Sequence, residues 1–241
     1  MEEHKLIIVE LVNTFLRWIA GIFGLPVKEG VKILPNHIVM AMLVTAVIIL
    51  FFKLNVKNLS VREPGKMQNF LEMIYRFFQS LVDDMIGHEG RKFIPVLATL
   101  GLFIAVSNLL GLLPEMESPT AKLNTTVGCA IFIFFYYHYQ GVKKHGLWGY
   151  IKTFMGPVWW LAWLFFPIEV VSHFSRPLSL SMRLFGNIFG EDLVIIIIAS
   201  LVPFIAPLPV MALAVFTSLL QAFIFVMLST IYLAGAMAEE H

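Results

Sequence analysis

A run of 21 residues, Phe93 to Leu113, carries no charged side chain. As a helix rising 1.5 Å per residue it is about 32 Å long, close to the roughly 30 Å hydrocarbon thickness of a bilayer. Two further runs share this character. His37–Phe52 is rich in Val, Ile, Leu and Met and is closed by Lys53. Thr125–Gln140 is aromatic at its far end, with Tyr136, Tyr137 and Tyr139 where a headgroup belt sits. Composition agrees with a membrane solvent: 59% of residues are hydrophobic and 14% charged, against about 45–50% and about 25% in soluble domains. So little charge cannot cover a water-facing surface, which excludes a soluble enzyme, and it is the reverse of a disordered composition. A net charge of +1 provides no basic field for nucleic acid. Cys129 is the lone cysteine, so neither an intramolecular disulfide nor a cysteine metal cage is available.

Lys66–Gly87 has a different pattern. Asn69, Glu72, Arg76, Gln79 and Asp83 recur at steps of three and four, and Phe70, Ile74, Phe77, Leu81 and Met85 fill another face. This is the periodicity of an amphipathic helix in the membrane interface, begun after Pro64 and ended at Gly87. The first 24 residues are similar, with Glu3, Glu10, Asn13 and Arg17 opposite Leu11, Phe15, Trp18 and Ile22. A signal peptide fits Met1–Pro26 poorly: acidic residues begin it, Asn13 and Arg17 interrupt its core, and no small-x-small site follows.

Basic residues set the orientation. Residues 53–92 hold seven (Lys53, Lys57, Arg62, Lys66, Arg76, Arg91, Lys92), and the connection 141–157 holds Lys143, Lys144 and Lys152 with no acid. Residues 114–124 hold only Lys122, against Glu115 and Glu117. The positive-inside rule places 53–92 and 141–157 in the cytoplasm and the N-terminus outside.

Beyond Lys152 charge nearly vanishes. Between Thr153 and Ala238 the charged residues are Glu169, Arg176, Arg183, Glu191 and Asp192, all within Pro167–Val202. One helix of that length is about 54 Å long, so it either breaks into two crossings or lies steeply tilted. Pro203, Pro207 and Pro209 mark a hairpin before an apolar helix from about Met211 to Met237. The residues alone leave five or six crossings.

At 100° per residue, Glu169, Ser172, Arg176, Ser179 and Asn187 all fall within about 40° of Arg183, Glu191 lies about 80° away, and Asp192 is nearly opposite. Ser218, Gln221, Ser229 and Tyr232 form a matching stripe on the last helix. A mid-membrane arginine costs about 2.5–3.5 kcal/mol on insertion scales and therefore faces a partner or a wet cavity. The serines and Asn187 are equally explained as a buried network locking two helices. Arg183 is not, because such a lock requires no permanent cation. Arginine holds its proton in any protein setting and acts as a fixed charge, whereas carboxylates can relay protons.

Other chemistry is absent from the pattern. The seven histidines form no i,i+4 pairs and no facing pairs within spans, which argues against haem or metal. His173 lies one residue off the stripe and reads equally as packing or channel lining. No phosphate-binding loop, dinucleotide fingerprint or HExxH is present. Asn108, inside an apolar span, reads first as an interhelical hydrogen bonder. A proton-coupled secondary transporter is the alternative function, and inverted repeats with paired broken helices would support it; no repeat is visible. A structural anchor in a redox complex is a third reading, in which the stripe only packs.

The run Ser175-Arg-Pro-Leu-Ser-Leu-Ser-Met-Arg183-Leu-Phe-Gly-Asn187 resembles the signature of subunit a of F-type ATP synthases, the Fo membrane sector. Leu220-Gln221-Ala-Phe-Ile-Phe225, the Tyr232-Leu pair, the final Glu-Glu-His and Asn108-Leu-Leu-Gly-Leu-Leu-Pro114 are similar to further segments of that family. The resemblance is specific over 169–241, looser over 93–145, and one of layout in the N-terminal third. It implies an all-α integral membrane protein of about five transmembrane helices plus amphipathic interfacial helices. A steeply tilted helix hairpin at about 158–202 and 208–238 would lie along a rotating ring of c subunits. The chain would be a single membrane domain, 1–241: an amphipathic segment 1–24, transmembrane helices 37–53, 93–113 and 125–141, an interfacial helix 66–87, and the ion-carrying hairpin 158–238.

By the same resemblance, Arg183 corresponds to the family's essential arginine opposite the ring carboxylate, Gln221 to the glutamine beside it, and Asn187 to a polar channel residue one turn on. Glu169, Ser172, Ser175 and Ser179 correspond to the cytoplasmic half-channel, and Asp192, with Glu191 beside it, to the external one. Either acid could relay the proton there. Ala214 stands where some relatives carry an ionisable group, so other residues must complete that path. The implied protein is a non-catalytic, proton-translocating stator without cofactors. Its partners would be the c-subunit ring, the b-subunit peripheral stalk, the other synthase subunits and the lipid bilayer, with no nucleic acid. The expected location is a bacterial cytoplasmic (inner) membrane, N-terminus outside and C-terminus cytoplasmic, with a thylakoid the weaker fit. The choice of H⁺ or Na⁺ belongs to the ring.

Overall fold

In a computed structural model, which describes residues 7–22, 33–56, 59–60, 64–113, 116–154, 159–202 and 205–238, every long regular element is an α-helix. In chain order these are α1 (Ile7–Ile22), α2 (Asn36–Asn55), α3 (Lys66–Met85), α4 (Ile94–Gly111), α5 (Leu123–Thr153), α6 (Ala162–Leu201) and α7 (Pro207–Met237). By length and composition, α2, α4 with the 3₁₀ turn before it, α6 and α7 are apolar enough to cross a membrane. α5 is long enough too, but its charge-free part is followed by Lys143 and Lys144 within the same helix. Of the residues singled out above, Glu3, Lys57, Arg62, Pro114, Glu115, Pro203 and the final Glu-Glu-His lie outside the described residues.

α6 settles the choice between two crossings and one long helix. It runs unbroken for 40 residues, with Pro167 and Pro177 inside it. At about 60 Å it is nearly twice the hydrocarbon thickness, so a bilayer can hold it only steeply inclined. Proline removes one backbone donor, which frees the carbonyl four residues before it, yet the helix continues through both prolines. Nearby, Ser175 Oγ donates to the Ser172 carbonyl at 2.7 Å and Ser181 Oγ to that of Leu178 at 3.0 Å.

The region expected as a connection from residue 141 is instead helical. α5 continues to Thr153 and turns sharply at Gly146, whose φ of 73° and ψ of 166° suit glycine and almost nothing else. The turn brings Tyr150 back over Gly141, where a Cβ would meet the ring at once. There the Tyr150 hydroxyl bonds His138 Nδ1 at 2.7 Å.

The core is shared by α4, α5, α6 and α7. Phe93, Leu97 and Ile104 pack with Ile133 and Tyr137, with Leu180 and Leu184, and with Phe225 and Leu233, all buried. Gly101 lets α4 approach α7 closely, since a Cβ there would stand 2.7 Å from Val226 Cγ2. Asn108 is the interhelical bonder expected of it: its amide donates to the Ser218 carbonyl at 3.2 Å and accepts from Thr120. Large apolar side chains such as Leu50, Leu54, Val171, Phe174, Ile196 and Phe216 cover the outside, a surface suited to lipid.

On α1, Glu10, Leu11 and Phe15 are exposed, whereas Asn13 is buried and bonds both backbone groups of Leu34, at 2.9 and 3.2 Å. Val9, Val12 and Asn13 thus dock on protein, while Leu11 and Phe15 point outward, as suits a helix whose outer side meets lipid.

Candidate functional site

α6 carries its polar residues in two groups, one in each half. In the N-terminal half, Glu169 Oε1 lies 3.2 Å from His173 Nε2 and 3.7 Å from the Arg176 guanidinium. Arg176 also sits over the Tyr232 ring of α7, 5.3 Å from its centroid. The other ring nitrogen of His173 bonds the Tyr137 hydroxyl at 3.1 Å. His138 faces His173 with ring centroids 5.0 Å apart. This corrects the expectation that no histidines face each other within spans. The two residues are 35 positions apart on different helices, and nothing local in the sequence signals that they meet.

In the C-terminal half, Thr217 Oγ1 of α7 donates to Glu191 Oε1 at 2.7 Å. Asp192, on another side of the helix, interacts electrostatically with Glu191 and with Glu117 and Lys122 of the segment before α5. Glu117 is itself paired to Lys122 at 2.9 Å and accepts a bond from the Asn36 amide at 3.2 Å. The sequence reading did not single out Thr217, although it stands one turn before Gln221. A helical threonine usually bonds its own backbone, and Thr217 also does so, to Leu213 and Ala214.

Between the two groups the packed side of α6 is mostly apolar. Leu180, Leu184 and Ile188 are buried against the neighbouring helices, with Ser181 among them bonding its own backbone. Arg183 points outward, about a quarter-turn round the helix from Leu184, exposed, with no hydrogen bond or ion pair among the described residues. It lies about 21 Å along the axis from Glu169 and about 12 Å from Glu191. Ser179, Gly186 and Asn187 are exposed around it, and a Cβ on Gly186 or Gly190 would meet open space. The outer face is thus low in relief around one cation. An arginine against bare lipid is costly, so a partner or water covers this face in the membrane.

The remaining sites are placed as follows. Asn187 Nδ2 donates to Gln221 Oε1 at 2.8 Å, joining α6 to α7. Gln221 is buried, and its Nε2 has no hydrogen-bond partner among the described residues. Ser172 is partly buried, while Ser175 and Ser179 are exposed. The stripe expected on α7 divides: Gln221 and Tyr232 meet α6, whereas Ser218 and Ser229 are buried, with Ser229 bonding its own helix at Phe225. Among the described residues, no three His, Cys, Asp or Glu side chains cluster as metal ligands.

Comparison with known proteins bears on the whole arrangement. The family model described as "ATP synthase A chain" matches residues 38–234. ATP synthase subunit a of Geobacter sulfurreducens is 49% identical over 178 residues, covering 74% of this chain and 77% of that one. The subunit of the same name from Desulfosudis oleivorans is 47% identical over 206 residues, 85% of this chain and 89% of its own. That of Geotalea daltonii is 49% identical over 178 residues.

Proposed function

The chain belongs to the ATP synthase A chain family, non-catalytic, proton-conducting membrane subunits of the synthase, and from that premise we propose that Arg183 is the fixed charge dividing two half-channels along α6. The observation that carries this reading is the separation of Glu169–His173–Arg176 from Glu191–Asp192–Thr217, with mostly apolar packing on the inner side and, on the outer, a guanidinium that has no partner among the described residues. Arg176 has Glu169 as its counter-charge; Arg183 has none among the described residues, and in this reading its partner comes from outside.

That partner is a carboxylate on a ring of c subunits turning past the outer face. A proton enters near Asp192 and Glu191 and neutralises the ring carboxyl, which can then move into lipid. At the other end of its circuit the carboxyl loses the proton near Glu169, Ser172, Ser175 and Ser179. An ion pair with Arg183 at about 4 Å is worth about 4 kcal/mol at an effective dielectric near 20, which favours release. The same charge repels hydronium and blocks direct flow between the two inlets. Each proton brings about 2.3 kcal/mol per 100 mV of membrane potential to rotation. Gln221 holds Asn187 beside the arginine.

In this reading residues 1–241 form one membrane domain in a bacterial cytoplasmic membrane. The N-terminus is outside and the C-terminus in the cytoplasm, with the b-subunit peripheral stalk and the remaining subunits as further partners. The balance of basic residues between the connections supports this orientation.

The test is Arg183→Lys in membrane vesicles carrying the assembled complex, with ATP-driven acidification and ATP synthesis measured apart from assembly. Lysine keeps the charge and loses the planar fork, so both activities are expected to fall by about tenfold or more. Wild-type pumping by an assembled Arg183→Lys complex overturns the role.

A further inference from the structure

The row Tyr137–His173–Glu169 runs from the core of the molecule to the polar stripe, and His173 uses both ring nitrogens in it, at 3.1 Å and 3.2 Å. An ionised carboxylate only accepts hydrogen bonds. Nε2 facing Glu169 is therefore a donor, and in the tautomer with that single N–H the other nitrogen, Nδ1, accepts from the Tyr137 hydroxyl. His173 and Tyr137 are both buried, while Glu169 is half-exposed. The row is anchored at its buried end and open at its acidic end.

We propose that His173, held by Tyr137, is a positioning residue that fixes the Glu169 carboxylate on the stripe for proton exchange. This rests on the reading of Glu169 as part of a half-channel. Without the ring, Glu169 would have, among the described residues, only Arg176 to direct it, at 3.7 Å, and Arg176 is shared with the Tyr232 face. An i,i+4 Glu–His pair alone would be an ordinary helix-surface contact. The buried tyrosine on a second helix removes the rotational freedom of the imidazole, and with it that of the acid. Packing closes the site from each side. From α5, His138, Tyr150 and Phe154 face His173 or bond to what does; from α6 come Glu169 and Arg176, and from α7 Tyr232. Arg176 is the fixed charge of this group, 3.7 Å from Glu169.

The experiment measures ATP-driven proton pumping by the assembled complex in inverted vesicles for Glu169→Gln, His173→Leu, His173→Gln, Tyr137→Phe and the double variant Glu169→Gln/His173→Leu. Pumping in His173→Leu is expected to fall about tenfold, the worth of a hydrogen bond to a charged group. His173→Gln keeps an N–H donor near the former Nε2 and is expected to recover most of the rate. The double variant is expected to be no slower than Glu169→Gln alone, because the ring acts only through that carboxylate. A Glu169→Gln complex that pumps at the wild-type rate defeats the half-channel reading itself. If Glu169→Gln is slow but His173→Leu is not, or if glutamine rescues no better than leucine, the positioning role alone is overturned. Where His173→Leu fails to assemble, Tyr137→Phe decides: slowed pumping supports the row, and a wild-type rate overturns it.

Discussion

The amide of Asn187 donates to Oε1 of the buried Gln221 side chain at 2.8 Å, one helical turn beyond Arg183. The bond ties the exposed face of α6 to the interior of α7 and satisfies the acceptor of an amide whose own nitrogen is unpartnered. Replacing Asn187 by alanine leaves a buried oxygen without a donor. We expect Asn187→Ala to destabilise the assembled complex by about 1–2 kcal/mol, and the pair Asn187→Ala/Gln221→Leu to recover part of that loss. Thermal inactivation of the four species of this cycle provides the measurement.

Thr217 holds Glu191 by a 2.7 Å bond, in a region where Ala214 offers no titratable group. Thr217→Val keeps the shape and removes the hydroxyl, whereas Thr217→Ser keeps the hydroxyl. Pumping is expected to drop by about threefold to tenfold in the valine variant and to stay near wild type in the serine variant. Equal rates in the two would show that Glu191 needs no such support.

At the end of α3 the Arg91 guanidinium grips the Asp83 carboxylate with two nitrogens, at 2.9 and 2.7 Å, and holds that carboxyl below its ordinary value. The folded value lies below the unfolded one. The contribution is therefore present above the unfolded value of 3.8 and lost as pH falls through the folded one. Protection of the 3₁₀ turn His88–Phe93 in hydrogen exchange should weaken on acidification below about pH 4 in the wild type. Taken relative to Asp83→Asn at each pH, so that intrinsic exchange cancels, the difference between the two should vanish at the acid end.

Gly101 lets α4 lie against α7. Gly101→Ala would drive a methyl to 2.7 Å from Val226 Cγ2, with the Phe78 ring also in the way. Overpacking of this kind costs about 1–3 kcal/mol. Lower yield of assembled complex is expected, with partial recovery in Gly101→Ala/Val226→Ala, where the opposing methyls are gone. Recovery of intact complex on a native gel measures both.

Much of the fold could be read from the absence of charge. Phe93–Leu113 and the stretch beyond Thr153 stand out because a bilayer admits few charges, and the helices α4, α6 and α7 occupy them. Whether Pro167–Val202 broke could not be read, because a membrane helix can run through a proline when its neighbours compensate the freed backbone, and the two prolines inside α6 leave it continuous. The turn at Gly146 was hidden for another reason: a lone glycine gives no sign of its φ until tertiary packing, here Tyr150 on Gly141, selects one. The stripe through Arg183 was visible because it repeats at helical spacing. The residues that complete it were not. His138 and His173 meet only once α5 packs on α6, and Thr217 is an unremarkable helix residue until Glu191 faces it.

The bare guanidinium of Arg183 makes this polypeptide unfinished when alone. On the reading proposed above, a newly inserted copy presents that positive charge and a low-relief strip to the acyl chains until a rotor docks. Orphan and incorporated copies would then differ in surface alone, the one still carrying an unmet charge that the other has covered.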